Sequence, residues 1–223
     1  MKKTPVRIKF GLKSCLCYTL IMTEEFDKTI NIFFEFQKMK IVHRYGSHDP
    51  IYHENVASHY GTMIAMADEL IERFKLNLDF KKVIQLIKYH DMSEIGMIFD
   101  FDAMATESNI KIQKEKTVLE NKTINNFSKE YGLHIKRHFQ EYESQQTNES
   151  RFVKIIDRLD AWFRIMERGV DKINNEWALW TTSTADEFAR KYQPIVPFYI
   201  RVRELLVQQL KERKGIIIPE FVP

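Results

Sequence analysis

The sequence predicts an all-α protein, and three observations support this fold class. Apolar residues recur at three- and four-residue spacing in six segments, near 24–40, 53–75, 80–95, 110–131, 149–169 and 183–213. No segment shows the alternation of apolar and polar residues that is typical of a half-buried strand. Glycine and proline are scarce, with 7 and 6 among 223 residues, so few interruptions are expected. This length is enough for one sizeable core, and we expect one compact domain.

Residues at the segment ends predict where individual helices begin and end. Asp79 is a suitable N-cap for the segment 80–95, and either Thr147 or Asn148 can cap the segment that follows. Pro194 and Pro197 lie inside the last segment, and proline interrupts an α-helix. We therefore expect that segment to form two helices.

The chain is predicted to divide into an N-terminal arm at 1–21, a domain at 22–215 and a C-terminal tail at 216–223. The arm has a basic start and a short apolar patch that Lys13 interrupts, and no small-residue cleavage site follows. These features do not fit a signal peptide, and the patch is too short to span a membrane. We therefore expect no membrane partner.

Composition and cysteine content restrict the compartment and the partners. The formal net charge is only +3, and no run of Lys and Arg is interleaved with aromatic residues, so nucleic acid is not expected as a partner. Cys15 and Cys17 are the only cysteines, which is too few for a disulfide framework. A reducing compartment follows, and we predict a cytoplasmic protein.

The segment 80–95 places ionisable residues on an apolar stripe. Val83 and Ile87 belong to the stripe, and His90, Asp91 and Glu94 continue it at helical spacing. Carboxylates inside a core are strongly destabilising unless they are paired. A metal ion would supply the missing positive charge.

Two other segments carry polar residues of the same kind. His59 is the polar member of an apolar stripe and, taken alone, resembles a core histidine that is satisfied by neighbours. Asp157 and Asp160 lie at the edge of a later stripe, and spacing does not choose between them. His59, His90, Asp91 and one of these two acids form a borderline-to-hard ligand set, suited to Mn²⁺, Co²⁺, Mg²⁺, Fe²⁺, Ni²⁺ or Zn²⁺. Four ligands leave open positions for water and a substrate oxygen, which favours hydrolysis.

The order His … His-Asp … Asp on successive helices resembles the HD-domain metal-dependent phosphohydrolase superfamily. The words "HRYGSHDPIYHENVASH", "KYHDMSE" and "RFVKIIDRLDAW" are similar to those of its bacterial 5′-deoxynucleotidase branch, over roughly residues 38–168. The resemblance implies a compact helical bundle with a metal site between helices. It also implies removal of the 5′-phosphate of (deoxy)nucleoside monophosphates and assembly as a homodimer.

The resemblance assigns roles residue by residue. His59 corresponds to the first metal-binding histidine, and His90 and Asp91 correspond to the pair that names the superfamily. Asp157 corresponds to the last ligand, because "VKIID" aligns with the family word. Glu94 corresponds to the acid that acts on the attacking water, and its alternative is a surface salt bridge.

Four further positions correspond to substrate-binding residues of the branch. Arg44 matches the arginine that contacts phosphate, a task suited to a planar guanidinium. Tyr45 stands where the family has Trp, which leaves the preference for deoxyribose over ribose open. Asp100 or Asp102 can replace a further family acid, and Lys116 is a candidate near the phosphate.

Alternatives remain at this stage for one histidine pair and for the function. His134 and His138 are one helical turn apart and could bind a metal, but no acid word accompanies them and we expect a solvated face. The same ligand set could hydrolyse another nucleotide, such as a nucleoside triphosphate or a modified nucleotide. It could also belong to a non-catalytic regulator that binds a nucleotide or metal.

Overall fold

The computed structural model describes residues 16–44, 54–97 and 103–223. Within these ranges the α-helices are α1 (Leu16–Gln37), α2 (Val56–Phe74), α3 (Phe80–Tyr89), α4 (Met92–Met97), α5 (Ala103–Ser108), α6 (Ile110–Tyr131), α7 (Leu133–Ser144), α8 (Asn148–Arg168), α9 (Asn175–Arg190) and α10 (Val196–Lys214). In the same described ranges, three short 3-10 helices span Lys38–Lys40, Val170–Lys172 and Gln193–Ile195. The extended pairing in these ranges is one isolated bridge between His43 and Asn55. The predicted all-α fold class is confirmed.

The predicted helix ends agree with the structure at three places. The Asp79 carboxylate accepts a hydrogen bond from a backbone amide in the first turn of α3, at 3.2 Å. Thr147, one of the two candidates, caps α8 and forms a capping box with Ser150. Pro194 lies in a 3-10 helix and Pro197 in the first turn of α10, so the last segment is split as predicted.

The predicted helix at 80–95 is interrupted, which corrects the sequence interpretation. Helix α3 ends at Tyr89, and α4 begins at Met92 after a turn at His90 and Asp91. The Asp91 carbonyl accepts the amide of Glu94 at 3.0 Å and so starts the next helix. Adjacent residues of a continuous helix point about 100° apart. The turn allows His90 and Asp91 to face the same centre.

Gly96 allows α4 to pack closely against α6. A Cβ atom at Gly96 would lie 2.3 Å from a methyl carbon of Thr123 and 2.7 Å from the ring of Phe127. Neither distance is sterically possible, so a larger residue would push the two helices apart. Since α4 also carries Glu94, this glycine fixes the depth at which that carboxylate lies.

Helix α7 was not predicted from the sequence. Gly132 joins it to α6 with φ of +121°, a conformation that residues with a side chain rarely adopt. Buried residues Ile135, Phe139 and Tyr142 form its inner face, but charged residues separate them along the sequence. For this reason no helix is predicted between residues 131 and 149.

Helix α8 lies at the centre of the fold. It packs against α2, α3, α7, α9 and α10. Phe152, Ile156, Leu159 and Trp162 have no exposed surface, and neighbouring residues on other faces of the helix are buried too. A helix surrounded on all sides buries even its polar residues, which explains why its acids face the interior.

At both ends of the predicted domain, ordered structure continues beyond the predicted boundary. Residues 16–21, assigned to the predicted arm, are helical, while the rest of the arm lies outside the described residues. In the tail, Ile216 and Ile218 are buried, and the Arg203 guanidinium donates to the Pro219 carbonyl at 2.6 Å. In the ranges that the structure describes, every helix is too short or too polar to cross a membrane.

Candidate metal centre

Two histidines from different helices meet at the centre of the molecule. His59 lies in the first turn of α2, whose N-cap is Asn55, and has no exposed surface. His90 follows the last residue of α3 and is also buried. Their Nε2 atoms are 3.3 Å apart. Each ring therefore presents the same nitrogen to the same point.

The opposite ring nitrogens define which tautomer each histidine adopts. His90 Nδ1 lies 2.7 Å from the Ile87 carbonyl oxygen, which can only accept, so Nδ1 carries a proton. His59 Nδ1 lies 2.7 Å from a carboxylate oxygen of Asp160, and the same reasoning applies. In the neutral ring, the form in which imidazole binds a metal, each Nε2 atom would then carry the lone pair.

Two carboxylates complete the cluster. Asp91 Oδ2 lies 3.0 Å from His90 Nε2 and 3.8 Å from His59 Nε2. Asp157 Oδ1 lies 3.2 Å from His59 Nε2, and its other oxygen accepts a hydrogen bond from the Tyr142 hydroxyl at 3.0 Å. Four electron-pair donors thus converge, and such an arrangement requires a cation. Two imidazoles and two carboxylates fit a divalent ion of the borderline-to-hard class.

The pKa shifts of the clustered residues also show that this site favours positive charge. Burial and the nearby Arg44 lower the pKa of His59, but hydrogen bonds to Asp157 and Asp160 outweigh them and raise it to about 9. Burial raises the pKa of Asp91, yet His90 and Arg44 hold it below its ordinary value. The pKa of Asp157 is likewise well below its ordinary value, because His59 and nearby arginines outweigh burial.

Arg44 lies against the two carboxylates. Its Nη1 donates to Asp91 Oδ2 at 2.8 Å, and its Nη2 donates to Asp157 Oδ1 at 3.4 Å. The Glu54 carboxylate is 3.9 Å from Arg44 Nε and also accepts a hydrogen bond from Arg164 on α8. Glu54 therefore lies within ion-pair distance of both Arg44 and Arg164 of α8.

Glu94 lies inside the protein, on the first turn of α4. Only 8% of the residue is exposed, which contradicts the alternative of a surface salt bridge. Burial raises the pKa of the Tyr60 hydroxyl, and the charges of Asp91 and Glu94 add to this. The Tyr60 ring in turn lies 5.2 Å from the His90 ring, between centroids. Glu94 is therefore close to the cluster.

A second group of charges extends from the cluster toward α6. Lys116 Nζ is 3.7 Å from a carboxylate oxygen of Glu120. Burial raises the pKa of Glu120, and the charge of Asp91 adds to the effect, so this face of α6 is electrostatically connected to the site. Lys154 of α8 places its ammonium 4.2 Å from the centre of the Tyr142 ring, and burial lowers its pKa. Sequence reasoning did not identify Lys154.

Some predicted site residues cannot be placed, and one prediction is wrong. Tyr45, Asp100 and Asp102 lie outside the described residues. His134 is exposed and its Nε2 lies 3.1 Å from the Tyr89 hydroxyl, whereas His138 is buried and stacks on the Tyr89 ring. The expectation of a solvated face is therefore wrong for His138, because α7 turns it toward α3.

Several residues beside the centre could not be assigned from sequence patterns. Asp160 was only an alternative ligand, Tyr142 lies on the helix that was not predicted, and Arg164 had no motif. Glu54 had a signal, since it stands in the word "ENVASH" one position before the N-cap of α2. The hydrogen bonds of Tyr142, Asp160 and Arg164 join residues that are 15, 101 and 110 positions apart, which local spacing does not report.

Comparisons with known proteins identify the family. The HD domain family matches residues 36–196, which is most of the chain. A 5′-deoxynucleotidase HDDC2 of Xenopus laevis is 37% identical over 120 residues, covering 51% of this chain and 55% of the frog protein. A 5′-deoxynucleotidase HDDC2 of Dictyostelium discoideum is 29% identical over 139 residues, covering 58% of this chain and 72% of the relative. The chain thus spans little more than half of the frog relative.

Solved structures share the fold. A conserved hypothetical protein from Pyrococcus furiosus superposes with a TM-score of 0.60 at 23% identity, covering 79% of this chain and 98% of its own. A predicted metal-dependent phosphohydrolase from Magnetospirillum magnetotacticum gives a TM-score of 0.64 at 19% identity, covering 88% of this chain and 100% of its own. The helical architecture, the converging His and Asp side chains and the match over residues 36–196 agree, and the chain belongs to the HD domain family.

Proposed function

We propose that this protein is a metal-dependent phosphohydrolase that removes the 5′-phosphate of (deoxy)nucleoside monophosphates. The observation that carries the proposal is the convergence of His59 Nε2, His90 Nε2 and carboxylate oxygens of Asp91 and Asp157 on one buried point beside Arg44. The names of the frog and slime-mould relatives support this class of substrate.

The four converging residues are the proposed metal ligands. His59, His90 and Asp157 offer ligand atoms that all lie within 4.8 Å of one another, and Asp91 borders them. When bound, a divalent ion supplies Lewis-acid chemistry, because it acidifies water and draws charge from a phosphate oxygen. The remaining work is assigned to residues of the chain itself.

Glu94 is proposed as the general base. It lies on α4, whose first turn is anchored by the Asp91 carbonyl, so its carboxylate stays one turn away from the ligand pair. A buried carboxylate can take a proton from the attacking water while the water adds to phosphorus. As the P–O bond to the water forms, the P–O5′ bond breaks and the proton taken by Glu94 passes to O5′. The products are therefore a nucleoside with a free 5′-hydroxyl and inorganic phosphate, and Glu94 is again a carboxylate.

Arg44 is proposed to bind the phosphate. Its guanidinium already spans two carboxylates at hydrogen-bond distance, so its donors point toward the centre where the phosphate would lie. A fixed, permanently charged fork suits a phosphate that gains charge on its oxygens in the transition state. Lys116 is proposed to add positive charge from α6, Tyr45 to pack beside the sugar, and Asp100 to bind another part of the substrate.

A phosphate-release assay tests the proposal. Purified protein is incubated with Mn²⁺, Co²⁺, Mg²⁺, Fe²⁺, Ni²⁺ or Zn²⁺ and with mono- and triphosphates of ribo- and deoxynucleosides. We expect phosphate release from deoxynucleoside monophosphates, dependent on the added metal. Comparison of each deoxynucleotide with its ribonucleotide measures the sugar preference that Tyr45 leaves open.

Two variants give the control for this assay. Asp91→Ala removes a proposed ligand and is expected to lose both metal binding and turnover. Asp68→Ala changes an exposed aspartate on α2 and is expected to retain both. Unchanged turnover in Asp91→Ala would overturn the ligand set. Metal binding without turnover on any phosphate ester would favour a regulator.

We also propose a homodimer, which the resemblance implies, and a cytoplasmic location and a functional domain at 22–215, which the sequence predicts. Light scattering of the purified chain measures the subunit number. Expression of a chain that begins at Met22 tests whether the preceding residues are needed, and the expected result is unchanged specific activity.

A further inference from the structure

His59 has a buried partner on the side that faces away from the proposed metal centre. Its Nε2 points toward Asp157 and His90, at 3.2 and 3.3 Å, while its Nδ1 lies 2.7 Å from Asp160 Oδ2. Asp160 is 5% exposed and His59 has no exposed surface. The contact is therefore a charge-assisted hydrogen bond that solvent does not weaken.

Asp160 cannot serve the same ion as His59 Nε2. The two nitrogens of an imidazole ring point in different directions, and Asp160 occupies the direction of Nδ1. Asp157 and Asp160 were equivalent candidates by sequence spacing, but they lie on different sides of His59. One borders the centre, and the other lies behind the ring.

A second metal site behind the ring is also disfavoured. Glu54, His59 and Asp160 offer ligand atoms within 4.8 Å of one another. However, Glu54 accepts a hydrogen bond from Arg164 and lies 3.9 Å from Arg44 Nε. Two arginines therefore already supply positive charge on this side, and Asp160 needs only the Nδ1 proton of His59 as its partner.

We propose that Asp160 is a positioning residue for the metal centre. It holds the proton of His59 on Nδ1, which keeps the Nε2 lone pair directed at the other ligands and fixes the ring orientation. The negative charge of Asp160 also increases the electron-donating strength of Nε2. This inference rests on the proposed function, because it assumes that His59 is a ligand.

Cobalt binding tests the role of Asp160 without relying on activity. Co²⁺ is titrated into the native protein and into Asp160→Ala and Asp160→Asn, and its visible absorption and dissociation constant are measured. Loss of such an outer partner typically weakens metal affinity by about 10- to 100-fold. We expect this loss in Asp160→Ala, together with an altered absorption band. Asp160→Asn should lose less, since its amide oxygen still accepts from Nδ1.

Two further variants separate the possible failures. Asp186→Asn changes another buried aspartate, on α9, and should lower stability without changing Co²⁺ affinity of the folded protein. His59→Ala should lose more affinity than Asp160→Ala. Native affinity in Asp160→Ala together with loss in His59→Ala would overturn the positioning role and leave the ligand set intact. Native affinity in His59→Ala would overturn both.

Discussion

Two clusters of buried charge in this protein differ in how their carboxylates are neutralised. In the first, between α9 and α10, Asp186 accepts two hydrogen bonds from the Arg203 guanidinium, at 2.7 and 2.9 Å, and one from the Tyr199 hydroxyl at 2.5 Å. In the second, Asp91 and Asp157 face the Nε2 lone pairs of two histidines. The first cluster pairs one carboxylate with one arginine in complementary geometry, whereas in the second two carboxylates and two imidazole nitrogens converge beside the Arg44 guanidinium.

The difference separates a structural role from a functional one. A buried acid that is fully paired with arginine stabilises one conformation, and here it also ties α10 to the tail through Pro219. A buried carboxylate that faces other electron-pair donors is stabilised only by added positive charge. A metal ion and a phosphate-binding arginine can supply that charge. Burial alone does not distinguish the two clusters, since Asp157 and Asp186 are 8% and 7% exposed.

Exchanging each aspartate for asparagine should give the largest contrast. Asp157→Asn weakens a proposed ligand, and a metal ion contributes several kcal/mol of transition-state stabilisation, so turnover should fall by about 10³-fold or more. Asp186→Asn leaves a buried arginine without its counter-charge and should lower the free energy of unfolding by about 3–5 kcal/mol. Phosphate release and urea unfolding measure the two effects. Loss of turnover in folded Asp186→Asn, at unchanged metal content, would contradict the division.

Glu94→Gln tests the general base within the functional cluster. The amide keeps the size of the side chain but cannot accept a proton, so kcat should fall by about 10²- to 10⁴-fold. Because Glu94 is not a proposed ligand, Co²⁺ affinity should change little. Glu115→Gln, at an exposed position on α6, is the matched control and should keep most of the activity. If Glu94→Gln lost its bound metal, Glu94 would be a metal ligand and its assignment as general base would be contradicted.

Arg44→Lys should give a smaller loss. Lysine keeps the charge but not the planar fork that spans Asp91 and Asp157. A hydrogen bond to a charged group is worth about 1.5–3 kcal/mol, so kcat/KM should fall about 10- to 100-fold. Arg201→Lys, at an exposed position on α10, provides the control. If Arg44→Lys and the native protein had equal kcat/KM, the proposed binding of phosphate by Arg44 would be contradicted.

The sequence predicts local features of the fold better than contacts between helices. The cap at Asp79 and the break at Pro194 depend on a few neighbouring residues, and both agree with the structure. The interruption after Tyr89 was missed because Ile87, His90 and Glu94 keep helical spacing across the turn. Periodicity indicates which side chains face the core. At this turn the side chains still face the core, although the backbone is no longer helical.

The candidate site shows the same limit. The motif words identify the residues that converge at the centre, because those residues stand in ordered words along the chain. Asp160, 101 positions from His59, and Arg164, 110 positions from Glu54, meet their partners only when α2 and α8 pack together. No periodic pattern in either helix reports such a pairing. The residues that surround the proposed ligands, such as Asp160 and Arg164, are therefore identified only by the three-dimensional structure.

The smallest expected effect concerns His138, a buried titratable group outside both clusters. Burial lowers its pKa, the nearby cations Arg137, Lys82 and His134 lower it further, and Glu141 opposes them. The folded state therefore binds this proton less readily than the unfolded state, whose histidine pKa is about 6.5. This contribution to stability is complete above about pH 6.5 and is lost as the pH falls through the lower folded pKa.

His138→Gln removes this titration while leaving a neutral polar side chain. Urea midpoints of the native and variant proteins are compared at about pH 7.5 and about pH 5.5. The midpoint of His138→Gln should change less between the two pH values than that of the native protein. His134→Gln, one turn earlier and exposed on the same helix, should flatten the dependence to a smaller extent. A native pH dependence in His138→Gln would show that the buried imidazole is not what makes stability fall with acid, and would direct attention to the ionisable groups of the metal centre.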